Sequence, residues 1–318
     1  MDNIKVVVLL ATYNGEKYIK EQLDSIIAQT YQDFIVYISD DGSHDGTLEI
    51  LNNYSNNYSN KIVLVKSSNT KHGAKQNFIH LLHAVDSDIF LFSDQDDVWD
   101  KQHIESLVKC YATLQTKEKK LPVLIHSDLK IVDAQLNTIC RSIFNFNQMP
   151  KIASGAYNYF VQNNVTGCSM LINNALKTIL FKNEFLMNEN LDVLPMHDHL
   201  FACIASVLGN IIFVDKVTVN YRQHNDNVVG AKNTKTIGYN LKKILSIHEQ
   251  KKIIISQKSF VAFFVDYFKS DLNSEQIKIL NSFVRLNDHI KLYRIFFLVR
   301  YGFLRYGLKR ILLQLLFI

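Results

Sequence analysis

The chain has 318 residues, 47% hydrophobic and 20% charged, which suits one large globular domain or a domain with an appendage. Its net charge of +5 is unevenly placed: residues 285–318 hold seven Lys/Arg against the single acid Asp288, so the first 284 residues sum to about −1. That distribution excludes a uniformly basic nucleic-acid binder, and four scattered cysteines without a CxxC or Cys/His cluster exclude a zinc site or disulfide framework.

In chain order, "IKVVVLLA" (4–11) is an apolar, β-branched run of the kind expected for a strand covered on both faces. "GEKYIKEQLDSIIAQ" (15–29) places Ile19, Leu23, Ile26 and Ile27 at helical spacing. "DFIVYISD" (33–40) is strand, and "DGTLEILNNY" (45–54) starts a helix with acids in its first turn. Strand "KIVLVKS" (61–67), helix "GAKQNFIHLLHAV" (73–85), strand "SDIFLFS" (87–93) and helix "DKQHIESLVKCYATLQ" (100–115) follow, and "PVLIHSDLKIVD" (122–133) adds one strand or two. The βαβαβαβ order predicts a mostly parallel sheet with right-handed crossovers. Further on, 165–173 reads as strand, 195–209 as helix and 210–224 as strand. From about 234 the pattern is helical, with a cap expected at Ser274.

Ligands of such sheets bind beyond the carboxyl ends of the strands. Polar residues gather there: "ATYNG", "SDDGSHDG", "SNTKHG" and "SDQDDVW" follow the first four strands. Neither GxGxxG nor GxxxxGK[ST] is present, so a Rossmann dinucleotide site and a P-loop are both unsupported. Asp41 at the second strand end is suited to accept hydrogen bonds from a nucleobase or ribose, whereas Asp45 reads as a helix cap. Asp94 and Asp96 stand two apart, on one side of an extended segment, and suit a Mg²⁺ or Mn²⁺ shared with a diphosphate. Asp97 reads as structural and Trp99 as a core anchor. In "MHDHLF", His197, Asp198 and His199 face different ways on a helix, which argues against a single metal and leaves Asp198 as a candidate base. Arg222 and His224 in "YRQHNDNVVG" are donors that can reach a diphosphate.

Taken in order over about residues 4 to 231, these motifs resemble the family-2 inverting glycosyltransferases of the GT-A fold, in particular bacterial rhamnosyltransferase-like enzymes of surface polysaccharide synthesis. The resemblance implies a GT-A catalytic domain over 1–231, with a nucleotide-sugar-binding half (1–130) and an acceptor-binding half (131–231), followed by a basic helical region over 232–318. It implies nucleotide-sugar contacts from Thr12, Tyr13, Asn14, Asp40, Asp41, Lys75, Asn77, Asp94, Arg222 and His224. It also implies a divalent Mg or Mn on Asp94 and Asp96, with Asp96 the more direct ligand, and Asp198 as the general base. The donor expected is dTDP-rhamnose or a UDP-hexose, and the acceptor a saccharide carried on a lipid. The QxxRW signature of processive relatives is missing, which favours transfer of one sugar. The competing readings are a nucleotide-sugar-binding or nucleotidyltransferase protein on a similar sheet, and a non-catalytic partner subunit.

The tail "LYRIFFLVRYGFLRYGLKRILLQLLFI" (292–318) is apolar but interrupted by cations, and no stretch of it approaches the ~20 apolar residues of a bilayer span. It is expected to form an in-plane amphipathic helix on anionic lipid, the alternatives being packing on the catalytic domain or in a homodimer interface. The N-terminus lacks a basic n-region and a cleavage site. A cytoplasmic enzyme, peripheral on the inner face of a bacterial plasma membrane, is the resulting expectation.

Overall fold

A computed structural model describes residues 4–66, 73–182, 191–224 and 247–318. Most of the segment after the third strand (67–72) and the expected domain boundary at 231 fall outside them. Nine strands form one sheet: β1 (Val6–Thr12), β2 (Ile35–Asp40), β3 (Ile62–Val65), β4 (Ile89–Ser93), β5 (Val98–Trp99), β6 (Val123–Val132), β7 (Thr138–Cys140), β8 (Met170–Asn173) and β9 (Asn210–Arg222). Their order is β3-β2-β1-β4-β8-β6-β9-β5, with β7 paired to β6. The helix-flanked α/β sheet expected from the sequence is present, but it is mixed rather than mostly parallel: β3-β2-β1-β4 and β6-β9 pair in parallel, while the pairings of β8 with β4 and β6, β7 with β6 and β5 with β9 are antiparallel.

Period-two alternation divides this sheet between two cores. Val7, Leu9 and Ala11 of β1 and Phe90 and Phe92 of β4 face one side. Val6, Val8 and Leu10 with Ile89 and Leu91 face the other. The first side is covered by α3 (Ala74–Ala84), α7 (Asn174–Leu180) and α8 (His197–Leu208), and the second by α1 (Ile19–Ile27), α2 (Thr47–Asn57), α4 (His103–Ala112) and α6 (Ile143–Asn147). The four-residue α5 (Thr116–Lys119) leads into β6.

Two features were not legible in the linear pattern. Strand β8 inserts antiparallel between β4 and β6. The two-residue β5 pairs antiparallel with the end of β9, Val98 opposite Asn220 and Trp99 opposite Val219. The second pairing carries the acidic loop to the place where the long β9 ends.

The C-terminal helices α9 (Ile247–Tyr267), α10 (Ser274–Val284), α11 (Lys291–Tyr301) and α12 (Leu308–Phe317) join the first core. The tail is thus two short helices rather than one. Gly302 and Gly307 adopt left-handed φ values of 74° and 86°, and the link between them drives Phe303 fully into the core. There it stacks on Phe283 at 4.4 Å and on Tyr157 at 5.1 Å. Among the described residues, no helix is long and apolar enough to cross a membrane.

Candidate active site

The loops after β1, β2 and β4 are laced together by short side chains. Asn14, at φ 47°, donates its N–H to Ser43 Oγ at 2.8 Å and accepts from His44 N–H at 2.9 Å. Gly15 N–H donates to Thr47 Oγ1 at 2.7 Å. The Gln95 amide accepts from Tyr13 N–H at 2.8 Å and donates to Tyr13 C=O at 2.9 Å, so the first loop is tied to the acidic loop at both backbone groups of one residue. A Cβ on Gly15 would stand 2.3 Å from Gln95 Oε1, so a side chain there would have to displace the Gln95 amide from Tyr13.

The acidic loop is fixed from behind by β9. Arg222 is almost wholly buried, and its guanidinium donates to Asp96 C=O at 2.7 Å, to Ala134 C=O at 2.7 Å and to the Glu21 carboxylate. Its backbone N–H donates to Asp97 Oδ1 at 3.0 Å. His224 Nε2 lies 2.8 Å from Asp96 Oδ2. The Tyr18 ring sits 4.6 Å from the Arg222 guanidinium and 4.8 Å from the His224 ring.

Asp198 enters from the first turn of α8. Burial pushes its carboxyl up to about 6, against backbone N–H groups of His199, Asp198 and Gly167 that favour the ionised form. Asp94 is pushed up to about 7 by burial and by the charges of Asp96 and Asp198. An acid from the end of β4 and one from 104 residues further on therefore share one electrostatic environment. Their histidine neighbours are not part of it. His197 is packed 4.4 Å from Phe78 and 5.5 Å from Phe92, and burial holds it neutral, down to about 3. His199 Nε2 is bonded to Tyr159 C=O at 2.5 Å.

The other expected residues separate into those that face the crevice and those that build its wall. Tyr13 is 51% exposed. Asp41 is buried at the rim, accepting Gly73 N–H at 2.5 Å, and Lys75 donates to Leu194 C=O at 2.9 Å. Asp40, expected to contact the nucleotide, instead closes its own turn. It accepts from Gly42 N–H, Ser43 N–H, Ser43 Oγ and Thr12 Oγ1, which absorbs both carboxylate oxygens and the Thr12 hydroxyl. Asn77 is buried and donates to Ser39 C=O at 2.9 Å, tying α3 to β2. Arg222, expected to contact the diphosphate, is a buried strut whose guanidinium donates to Asp96, Ala134 and Glu21 behind the loop. Gln95, Glu21 and Tyr18 were missed. Gln95 lies inside the motif, but nothing in the linear pattern shows the loop it reaches, and Glu21 reads as one more acid on a solvated helix face.

The carboxylates fit a hard divalent cation. Asp94, Asp96 and Asp198 crowd negative charge into one place, which a cation relieves. Among the described residues, donor atoms of Asp94, Asp97 and Cys168 lie within 4.8 Å of one another. Burial raises both Asp97 and Cys168 well above their ordinary values, and Asp97 Oδ1 already accepts the Arg222 N–H. Asp94 and Asp96 offer carboxylate oxygens, the donor type that Mg²⁺ or Mn²⁺ prefers.

A helix-flanked mixed sheet with acids gathered beyond its strand ends is an architecture of the GT-A class. The comparisons agree. The family model for glycosyl transferase family 2 matches residues 7–116. The dTDP-rhamnosyl transferase RfbG of Shigella flexneri is 33% identical over 228 residues, covering 70% of this chain and 74% of that protein. The putative glycosyltransferase EpsE of Bacillus subtilis is 33% identical over 33% of this chain and 37% of its own length. In fold, the chain is similar to TarS 1–349 of S. aureus solved with UDP-GlcNAc, at TM-score 0.54 and 18% identity, covering 95% of this chain and 93% of that one. A Pyrobaculum calidifontis mannosyltransferase solved with GDP-Man and Mn²⁺ matches at TM-score 0.53 and 17% identity, over 94% of this chain and 73% of its own. The chain belongs to glycosyltransferase family 2.

Proposed function

We propose that the protein transfers one sugar, with inversion at the anomeric carbon, from a nucleotide-sugar to a hydroxyl of a saccharide acceptor in bacterial polysaccharide synthesis. The observation that carries this reading is the convergence of Asp198 on Asp94 at the strand ends. The laced loop holding Tyr13 and Asn14 receives the nucleotide, with Asp41 at its rim and Lys75 bordering it. Asp198 takes the proton of the acceptor hydroxyl as its oxygen bonds to the anomeric carbon, and the bond from that carbon to the departing nucleoside diphosphate breaks. A base poised near the working pH contributes typically ~10²–10⁴ in rate, and holding both partners in one crevice contributes as well. A divalent metal bound by Asp94 and Asp96 would supply Lewis-acid relief of the charge on the diphosphate. Arg222 and His224 hold the acidic loop in place for it.

The rhamnosyl donor named for the Shigella relative makes dTDP-rhamnose the first substrate to assay, ahead of UDP-hexoses. The acceptor is placed on a lipid carrier at the cytoplasmic face of the membrane, where the basic C-terminal helices would meet it. The reading is tested by assaying a panel of nucleotide-sugars for turnover with Mn²⁺ and with EDTA. Activity undiminished by EDTA removes the metal from Asp94 and Asp96. Asp198→Asn is expected to bind donor with unchanged affinity by calorimetry and to lose transfer by ~10²–10⁴. Transfer at the wild-type rate would remove Asp198 as the base.

A further inference from the structure

The tail that buries Phe297, Leu298 and Phe303 against the catalytic domain leaves its opposite side apolar. On α11, Leu292, Phe296 and Val299 recur at spacings of four and three residues; on α12, Leu308, Leu312 and Leu316 recur at four. Each set is therefore one stripe of its helix. All six residues are between 57% and 76% exposed. The two helices are neighbours, since Lys291 Nζ donates to Leu316 C=O at 3.4 Å, which sets the first turn of α11 beside the last turn of α12. Leu292 and Leu316 thus stand at the same end of the pair.

The charges beside these stripes have one sign. Along α11, α12 and their link, Lys291, Arg300 and Lys309 are exposed and no Asp or Glu occurs between 289 and 318, the exposed Asp288 lying ahead of α11. A second copy of this chain would bring like charges together across such a face, which disfavours self-association. A surface that is both apolar at depth and anionic at its edge complements it.

We infer that α11 and α12 together form a docking face for a bilayer containing anionic lipid, with the two leucine- and phenylalanine-bearing stripes entering the acyl boundary and the flanking cations at headgroup level. The helices keep their packing on the catalytic domain when they dock, because the buried and exposed sides are different residues. The inference deepens the membrane placement proposed above and does not depend on which sugar is transferred.

The test is flotation of the full-length protein with phosphatidylcholine vesicles and with equimolar phosphatidylcholine/phosphatidylglycerol vesicles. The expected result is recovery with the anionic vesicles, weak recovery with the neutral ones, and release by added salt. Phe296→Ser with Leu312→Ser is expected to lower partitioning about tenfold at an unchanged thermal midpoint. Lys291→Gln with Lys309→Gln is expected to remove the preference for anionic lipid. Failure to float with anionic vesicles overturns the inference, as does recovery that neither variant reduces. Light scattering that shows a wild-type dimer dissociated by the serine variant also overturns it, by assigning the stripes to a second copy. Nucleotide-sugar turnover measured on the same preparations separates the two proposals: flotation without turnover leaves the docking face standing and removes the catalytic reading, and turnover without flotation does the reverse.

Discussion

Asp94 and Asp198 hold their protons more tightly in the folded chain than carboxyls do in water, at about 7 and about 6 against 3.8. Two consequences follow at the scale of single residues. Asp198 acts as a base only when ionised, so transfer is expected to rise with pH through about 6 and level off above it. For stability the sign is opposite. A carboxyl whose folded pKa is raised stabilises the fold fully below 3.8 and loses that contribution as pH rises through 6 and 7. Without added metal, the thermal midpoint is therefore expected to fall across this window, and Mn²⁺ is expected to raise it most at the upper end, where Asp94 is ionised. A midpoint flat with pH and indifferent to Mn²⁺ would contradict both the shared environment and the proposed metal. The residues that face this site were largely legible, because carboxylates at strand ends are rare enough to stand out. The internal bonds of Asp40 and Arg222 were not legible, for a common reason. Residue type shows what a side chain can bond, and only packing shows that its bonds are already made.

Among elements, the pairing of β5 with β9 does most to assemble the site. It brings Asp96 and Asp97 to Arg222, whose guanidinium reaches acceptors from α1, the acidic loop and the turn after β6 in three directions. A lysine cannot match that planar fork. Arg222→Lys is expected to cost about 1–3 kcal/mol of stability through unsatisfied buried carbonyls, and to weaken Mn²⁺ affinity more than donor affinity, as read by titration of each. Equal loss of both would assign Arg222 to the nucleotide after all. Two-residue strands carry too little periodicity to be read from sequence, so this pairing was out of reach. The short-range signals did better, though with an offset at one helix start. The cap expected at Ser274 is Asn273, whose side chain accepts from Gln276 N–H at 2.9 Å while Gln276 Oε1 accepts from Asn273 N–H at 2.8 Å.

At the scale of the whole molecule, one core joins the catalytic sheet to the C-terminal helices. Phe303 is one of its links, between Phe283, Phe297 and Tyr157. Phe303→Ala is expected to cost about 3–5 kcal/mol, seen as a single lowered unfolding transition. Two separate transitions would show that the tail is an independent unit. Length, the βαβ order, the acids at strand ends and the basic tail were fixed locally, by periodicity and by chemistry that near neighbours determine. The insertion of β8, the strut role of Arg222, the neutral core state of His197 and the break of the tail at Gly302 were decided only by tertiary structure. Each depends on contacts between residues far apart in the chain, and side-chain chemistry alone does not say which distant partner will satisfy it.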